Sequence, residues 1–320
     1  LGTRVTETAV VNSTSFKGGP GGESILVDRL GGSKLPLGRE ILIETSLGRD
    51  VVFGSDGVEE IFTGANDDII YPGFAPLNKP DTINGGSGSD LASYIGKAGG
   101  DPNIPRNTLE PEPVNISSTS KTTLEVRKID DKNRILATLD NIENIHAYGS
   151  SSIDLSKAVN SNPDDSNSLS VGSGGTIIGN DQKQDFTISY DSDFNNDTKT
   201  SYETTTFVDG KGDKDTLKIN FSNQPEQIDE IVQVKLPNNN IGFVKGSSPV
   251  VIDRSSPLSF NDQIGDRLLI EVANVETLKI VDRRGKETVQ NTNELNLPEL
   301  KTTEGADPGT GTGTENEDIK

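Results

Sequence analysis

Five acidic residues stand in register along residues 45–93: Asp50, Glu59, Asp68, Asp81 and Asp90. Each is the sixth member of a nine-residue unit. The units are TSLGRDVVF, GSDGVEEIF, TGANDDIIY and, after a four-residue interruption PGFA, PLNKPDTIN and GGSGSDLAS. Two places beyond each acid stands an apolar residue, Val52, Ile61, Ile70, Ile83 and Ala92 in turn. Carboxylates beside turn carbonyls make a set of hard oxygen donors. Ca²⁺ suits such a set, since it takes about six to eight oxygens in flexible geometry, whereas Mg²⁺ demands near-octahedral order and keeps its water. Acids brought one strand spacing apart repel each other unless a cation lies between them.

Such a repeat can place its acids only if each unit forms a tight turn of six residues followed by a strand of three. Two units then complete one circuit of a parallel β-roll. The apolar residue at place eight points inward and stacks on its equivalents two units away, because a single rung cannot bury its apolar face alone. Residues 18 apart fall on the same edge. Asp50 thus lies beneath Asp68, and Asp68 beneath Asp90 if PGFA bulges out, while Glu59 and Asp81 share the opposite edge. Gly85, Gly86 and Gly88 shape the last turn by allowing backbone angles that other residues avoid. Lys79 stands where a turn glycine belongs, and the longer arm of Glu59 departs from the pattern. The plain alternative is a β-solenoid fragment whose turns use Gly and Asp for geometry alone.

The rest of the chain reads as all-β: a short parallel β-roll joined to further β-sandwich or β-solenoid-like regions. Residues 1–44 hold short strands such as TRVTETAVV, ESILVDRL and REILIETS, and 45–93 the repeats. Residues 94–112 form a Gly/Pro-rich connection. A β region with a long polar loop over 156–175 spans 113–175; in it TTLEVRKI and RILATLDNIENIHAY pair across the turn DDKN. A β-rich region follows over 176–300, with one short helix expected in QPEQIDEIV, and a disordered acidic tail is expected over 301–320.

Composition removes several functions. Fifty acidic against thirty basic side chains give a formal charge of −20, which opposes nucleic acid and anionic membranes. No run of residues is long and apolar enough for a membrane-spanning helix. Cysteine is absent, so neither disulfides nor thiolate metal sites exist. His146 is the sole histidine, too little for a usual zinc site and reading as structural. There is no H-E-x-x-H and no G-x-S-x-G, and the glycine stretches at 19–24 and 172–180 lack a phosphate-loop context. Asp191, Asp193, Asn195 and Asp197 alternate like the start of an EF-hand loop. Asn196 replaces its turn glycine, however, and Glu203 comes one place late, so an acidic hairpin turn is the simpler reading.

GGSGSDLAS resembles the nonapeptide of hemolysin-type (RTX) calcium-binding repeats, in which a GGxGxD turn precedes a short strand, and TGANDDIIY resembles a worn copy. DGVEEIFTGANDDII is similar to the phrase that introduces such repeats in secreted bacterial proteins. DNIENIHAYGSSS (140–152) and ANVETLKIVD (273–282) echo it, and DGKGDKDTLKI resembles a variant turn. The resemblance implies Ca²⁺ bound by Asp50, Asp68, Asp81 and Asp90 with turn atoms of the adjoining unit. It implies an ordering of the roll by the ion outside the cell, where modules of this kind bind with dissociation constants of roughly 10⁻⁴–10⁻³ M.

The expected function is a non-catalytic, secreted or cell-surface structural protein, part of a surface layer, sheath, filament or adhesin, assembled by self-association when Ca²⁺ screens its acidic surface. One alternative is a module that binds polysaccharide or a surface. Another is an extracellular polysaccharide-processing enzyme, against which the absence of Trp and the scarcity of other aromatics count.

Overall fold

The computed structural model describes residues 15–26, 40–54, 57–73, 79–94, 113–147, 149–159, 167–189, 205–212, 214–222, 231–236, 238–245, 268–282 and 284–297. The chain is all-β, with two multi-stranded mixed sheets. Among the described residues the first sheet has ten strands. In pairing order they are Ser24–Leu26, Val51–Phe53, Ile69–Tyr71, Leu91–Tyr94, Asn144–Ala147, Asn167–Gly172, Gln184–Ser189, Thr216–Asn220, Thr277–Val281 and Glu287–Asn291. The second has thirteen: Ser15–Lys17, Glu40–Glu44, Val58–Phe62, Asp81–Asn84, Ile135–Asp140, Thr123–Lys128, Val114–Ser118, Ser152–Asp154, Thr176–Ile178, Thr206–Asp209, Leu268–Ala273, Ile241–Lys245 and Ile231–Lys235.

From Ser15 to Tyr94 successive strands alternate between the sheets, and each pairs in parallel with the strand two ahead of it. Two antiparallel excursions, 114–140 and 231–273, interrupt this alternation in the thirteen-stranded sheet. The antiparallel strand Glu287–Asn291 ends the ten-stranded sheet. Strands of 113–175 and of 176–300 enter the same two sheets as those of 45–93.

Side chains of a strand point alternately to its two faces, and the parallel register turns that alternation into columns. Ile25, Val52, Ile70, Ala92, Ile145, Leu169, Phe186, Leu217 and Leu278 pair one above another. All are buried. On the facing sheet Ile43, Ile61, Ile83 and Leu139 form a matching column, also buried. Residues of both columns belong to one continuous apolar core. Each Val, Leu, Ile or Phe of these columns contributes roughly 1.5–3 kcal/mol by leaving water.

The strands TTLEVRKI and RILATLD pair antiparallel as their sequence suggests. The loop expected over 156–175 is corrected in part. Asn167–Gly172 is a strand in which Leu169 and Val171 are buried and the polar Asn167 and Ser170 are buried beside them, while 160–166 lie outside the described residues. In QPEQIDEIV the final Ile231 and Val232 belong to a strand, and 224–230 lie outside the described residues. So do TRVTETAVV, the connection from 95 to 112, the EF-hand-like stretch 191–203 and the tail 301–320. His146 sits on the strand Asn144–Ala147, where burial lowers its affinity for a proton.

Candidate metal centre

The three turns 45–50, 63–68 and 85–90 are stacked equivalents. Leu47 bridges Ala65, which bridges Ser87, and the Thr63 hydroxyl donates to the Gly85 carbonyl at 2.9 Å. The fourth residue of each turn has a left-handed backbone: Gly48 at φ 129°, Asn66 at 84° and Gly88 at 151°. Asn is the residue other than Gly that tolerates this region best, which is how the worn copy TGANDD keeps its shape. Gly86 adopts φ 92°, and a Cβ there would lie 2.0 Å from the Gly64 carbonyl oxygen. Successive turns touch so closely that no side chain fits between them.

The sixth residues form a column along one edge of the ten-stranded sheet, and each carboxylate reaches back one circuit. The Glu23 N–H donates to Asp50 Oδ1 (2.7 Å), the Asp50 N–H to Asp68 Oδ1 (2.7 Å), the Asp68 N–H to Asp90 Oδ1 (2.9 Å) and the Asp90 N–H to Glu143 Oε2 (3.0 Å). The return bonds run between backbones. The N–H groups of Val51, Ile69, Leu91 and Asn144 donate to the carbonyls of Glu23, Asp50, Asp68 and Asp90. A parallel ladder leaves the N–H just ahead of each strand unpaired, and the carboxylate of the next circuit satisfies it.

That duty engages one carboxylate oxygen per residue. Asp50 Oδ2, Asp68 Oδ2 and Asp90 Oδ2 are buried and accept no hydrogen bond, on side chains that are at most 1% exposed. Burial raises the Asp68 carboxyl from 3.8 to about 6, with the charges of Asp50 and Asp67 adding to the rise and the Asp50 N–H and Thr63 opposing it. Burial likewise raises Asp90 to about 7, reinforced by Asp68, Glu143 and Asp67. Stacked buried carboxylates are therefore short of positive charge. A Cβ placed on Gly85 would lie 2.4 Å from Asp90 Oδ2 and 2.4 Å from the Asn141 carbonyl oxygen. A carboxylate and a carbonyl thus converge on space that only glycine leaves open.

On the opposite edge Glu59 and Asp81 are both buried, and the Glu59 N–H donates to Asp81 Oδ1 at 2.8 Å. Burial and then the Glu59 charge raise the Asp81 carboxyl well above the usual carboxylate range. This acid column is short, because the register puts Ile41 before Glu59 and Ala137 after Asp81.

The eight residues singled out in the sequence thus fall into two groups. Asp50, Asp68, Gly85, Gly86, Gly88 and Asp90 build one edge, and Glu59 with Asp81 the other. Among the described residues no three His, Asp or Glu side chains gather closely enough to hold a metal by themselves, so a cation on either edge needs turn carbonyls or water as well.

Sequence reasoning missed the length of the first column. The register extends it through Glu143, Asn167, Gln184, Asp215 and Glu276. Its far part is bonded in the same way, with the Gln184 N–H donating to Asp215 Oδ1 (2.8 Å) and the Asp215 N–H to Glu276 Oε2 (2.8 Å). The echo phrases DNIENI, GKGDKD and NVETL carried the signal, since each sets its acid immediately before a strand of the ten-stranded sheet. No protein-family model matches this chain, and no curated protein matches it either.

Proposed function

We propose that the chain is a calcium-ordered, non-catalytic structural protein of the cell surface or extracellular matrix, related to the RTX repeat proteins. In this reading residues 45–93 form a parallel β-roll whose turns take up Ca²⁺. The observation that carries it is the row of buried second oxygens on Asp50, Asp68 and Asp90, free of hydrogen bonds and stacked one circuit apart. A purely structural ladder needs one acceptor per step, which an amide supplies without charge; the column itself carries amides at Asn167 and Gln184. Carboxylates at 50, 68 and 90, when ionised, add negative charge to a buried row, and at neutral pH a bound cation offsets it.

The donor set fits a hard ion. Asp50, Asp68 and Asp90 would supply carboxylate oxygens, and carbonyls of the stacked turns, such as that of Asn141 beside Asp90, would complete the shell. The ion would supply charge neutralisation and cross-linking of successive turns. The chain's own residues do the rest. Place-six carboxylates tie each N–H of the previous circuit, the left-handed residues at place four close the turns, and the apolar columns lock the register. Among the described residues no helix is long and apolar enough to cross a membrane.

An acidic surface carrying a net −20 keeps copies apart until divalent ions screen it, which supports self-association outside the cell. The test is sedimentation of the full chain with and without millimolar Ca²⁺, in parallel with calorimetric titration. Ca²⁺ uptake with growth of assemblies supports the reading. Uptake by a protein that stays monomeric and is retained on a glycan array favours a polysaccharide-binding module, and no uptake removes the calcium role.

A further inference from the structure

The outer face of the ten-stranded sheet changes character along its length. On the strands that follow Asp50, Asp68 and Asp90 it is apolar: Val51, Ile69 and Leu91 stand in one register column, with Phe53 beside Tyr71 in the next. The two rings stack with centroids 4.8 Å apart and planes 4° apart. These five side chains are half-buried and none belongs to the continuous core, unlike the inward Val52, Ile70 and Ala92 between them. Among the described residues no third layer of strands lies over this face. Farther along, the residues that follow Glu143, Asn167, Gln184, Asp215 and Glu276 are Asn144, Ser168, Asp185, Thr216 and Thr277, all polar. The apolar stretch therefore coincides with the run of buried aspartates. The N–H groups of Val51, Ile69 and Leu91 each donate at 2.9 Å to the carbonyls of Glu23, Asp50 and Asp68, so the backbone that aligns the carboxylates also aligns the outer residues.

We propose that this apolar stretch is the interface between copies of the chain, the same patch on each meeting across a two-fold axis. Charge selects the occupant. A chain of net charge −20 repels its own copy wherever like charges face each other. On the same circuits the outer face of the thirteen-stranded sheet carries Glu44 and Glu60, and the turn edge carries the exposed Asp67. The stretch from Val51 to Leu91 offers no charged side chain, so two copies approach there at least cost. A sugar ring needs an aromatic face to lie on. Side chains stand roughly perpendicular to a sheet, so the stacked Phe53 and Tyr71 rings turn edges outward instead. Five side chains are far fewer than the roughly 20–30 residues a side of a standard stable complex. Association through them is accordingly weak and grows with protein concentration. The interface deepens the assembly reading, and it rests on the calcium role only for the ordering of these strands.

Sedimentation velocity of the full chain in millimolar Ca²⁺, over a range of protein concentrations, tests the interface. The wild type should associate. Ile69→Asp, at the centre of the stretch, should associate at least about tenfold more weakly, because it sets like charges against each other in an apolar contact. Thr187→Asp adds the same charge to the polar part of the same face and should associate like wild type. Circular dichroism shows whether each variant is folded. The chain has no cysteine, so Ile69→Cys gives a second measurement: under mild oxidation it should form disulfide-linked dimers in excess of Glu60→Cys on the other sheet, and it carries the test if Ile69→Asp does not fold. Folded Ile69→Asp that associates like wild type, or cross-linking of Ile69→Cys no greater than that of Glu60→Cys, overturns the interface. A wild type that stays monomeric but loses glycan-array retention on Ile69→Asp gives the face to a polysaccharide and overturns it too. Calorimetric Ca²⁺ uptake by a monomeric wild type sinks the interface and leaves the calcium role standing. Association that Ile69→Asp removes, in a protein that takes up no Ca²⁺, does the reverse.

Discussion

Asp68→Asn should move the protein in opposite directions with and without calcium. The Asn side-chain oxygen can still accept the Asp50 N–H now bound at 2.7 Å, and the volume barely changes, so neither ladder nor core is damaged. What disappears is a buried negative charge. Without metal, a carboxyl raised from 3.8 to about 6 destabilises the folded state at pH 7.5 by roughly 3 kcal/mol, at about 1.4 kcal/mol per pH unit. Removing that burden should raise the melting temperature in EGTA by on the order of 6–12 °C, given about 2–4 °C per kcal/mol in chains of some 150–250 residues. With calcium the order reverses. A site saturated a hundredfold above its dissociation constant stabilises by about 2.7 kcal/mol, and Asp68, which touches the turns on both sides, contributes to more than one. The assay is thermal or urea melting of wild type and variant in EGTA and in 10 mM Ca²⁺, an excess of roughly tenfold to a hundredfold over the binding range of extracellular sites. A variant that is less stable than wild type in EGTA, or one that gains as much from Ca²⁺, would refute the reasoning.

Three further outcomes follow from the same geometry. The metal-free wild type should be most stable near pH 4 and weaken as pH rises through about 6 and 7, because Asp68 and Asp90 hold protons more tightly folded than unfolded; melts across pH 4–8 should show the slope, and Ca²⁺ should flatten it. Glu143→Gln keeps an acceptor for the Asp90 N–H and removes a charge that raises Asp90, so it should not lower metal-free stability at pH 7.5, whereas Glu143→Ala strands that N–H at a cost of about 1–3 kcal/mol, readable by urea unfolding. Gly86→Ala should prevent the 45–94 region from ordering, since its Cβ would meet the Gly64 carbonyl at 2.0 Å in a left-handed conformation. Gly21→Ala, with open space around it, should melt like wild type; equal effects would sink the turn-stacking account.

The repeat was legible because two properties recur together at fixed places. Val52, Ile61, Ile70, Ile83 and Ala92 share the buried face, and Asp50, Asp68 and Asp90 share the edge, as nine-residue spacing requires. Beyond Tyr94 the same column continues, but its steps lengthen to 53 residues between Asp90 and Glu143 and 61 between Asp215 and Glu276. Antiparallel excursions fill those intervals, so no fixed period exposes them. Asn167–Gly172 read as a loop because its composition is polar, yet parallel pairing on both sides satisfies its backbone and lets Asn167 and Ser170 be buried. Carboxylates in a row suggested repulsion relieved by a cation. Their hydrogen bonds to the preceding circuit depend on a register that spacing implies but side-chain chemistry does not reveal.

Anomalous diffraction from crystals grown in calcium chloride tests the central claim most directly. The account expects ion peaks beside the second carboxylate oxygens of Asp50, Asp68 and Asp90, at about 2.3–2.6 Å from those oxygens and from turn carbonyls. Ordered side chains at these positions with no anomalous peak within reach would contradict it.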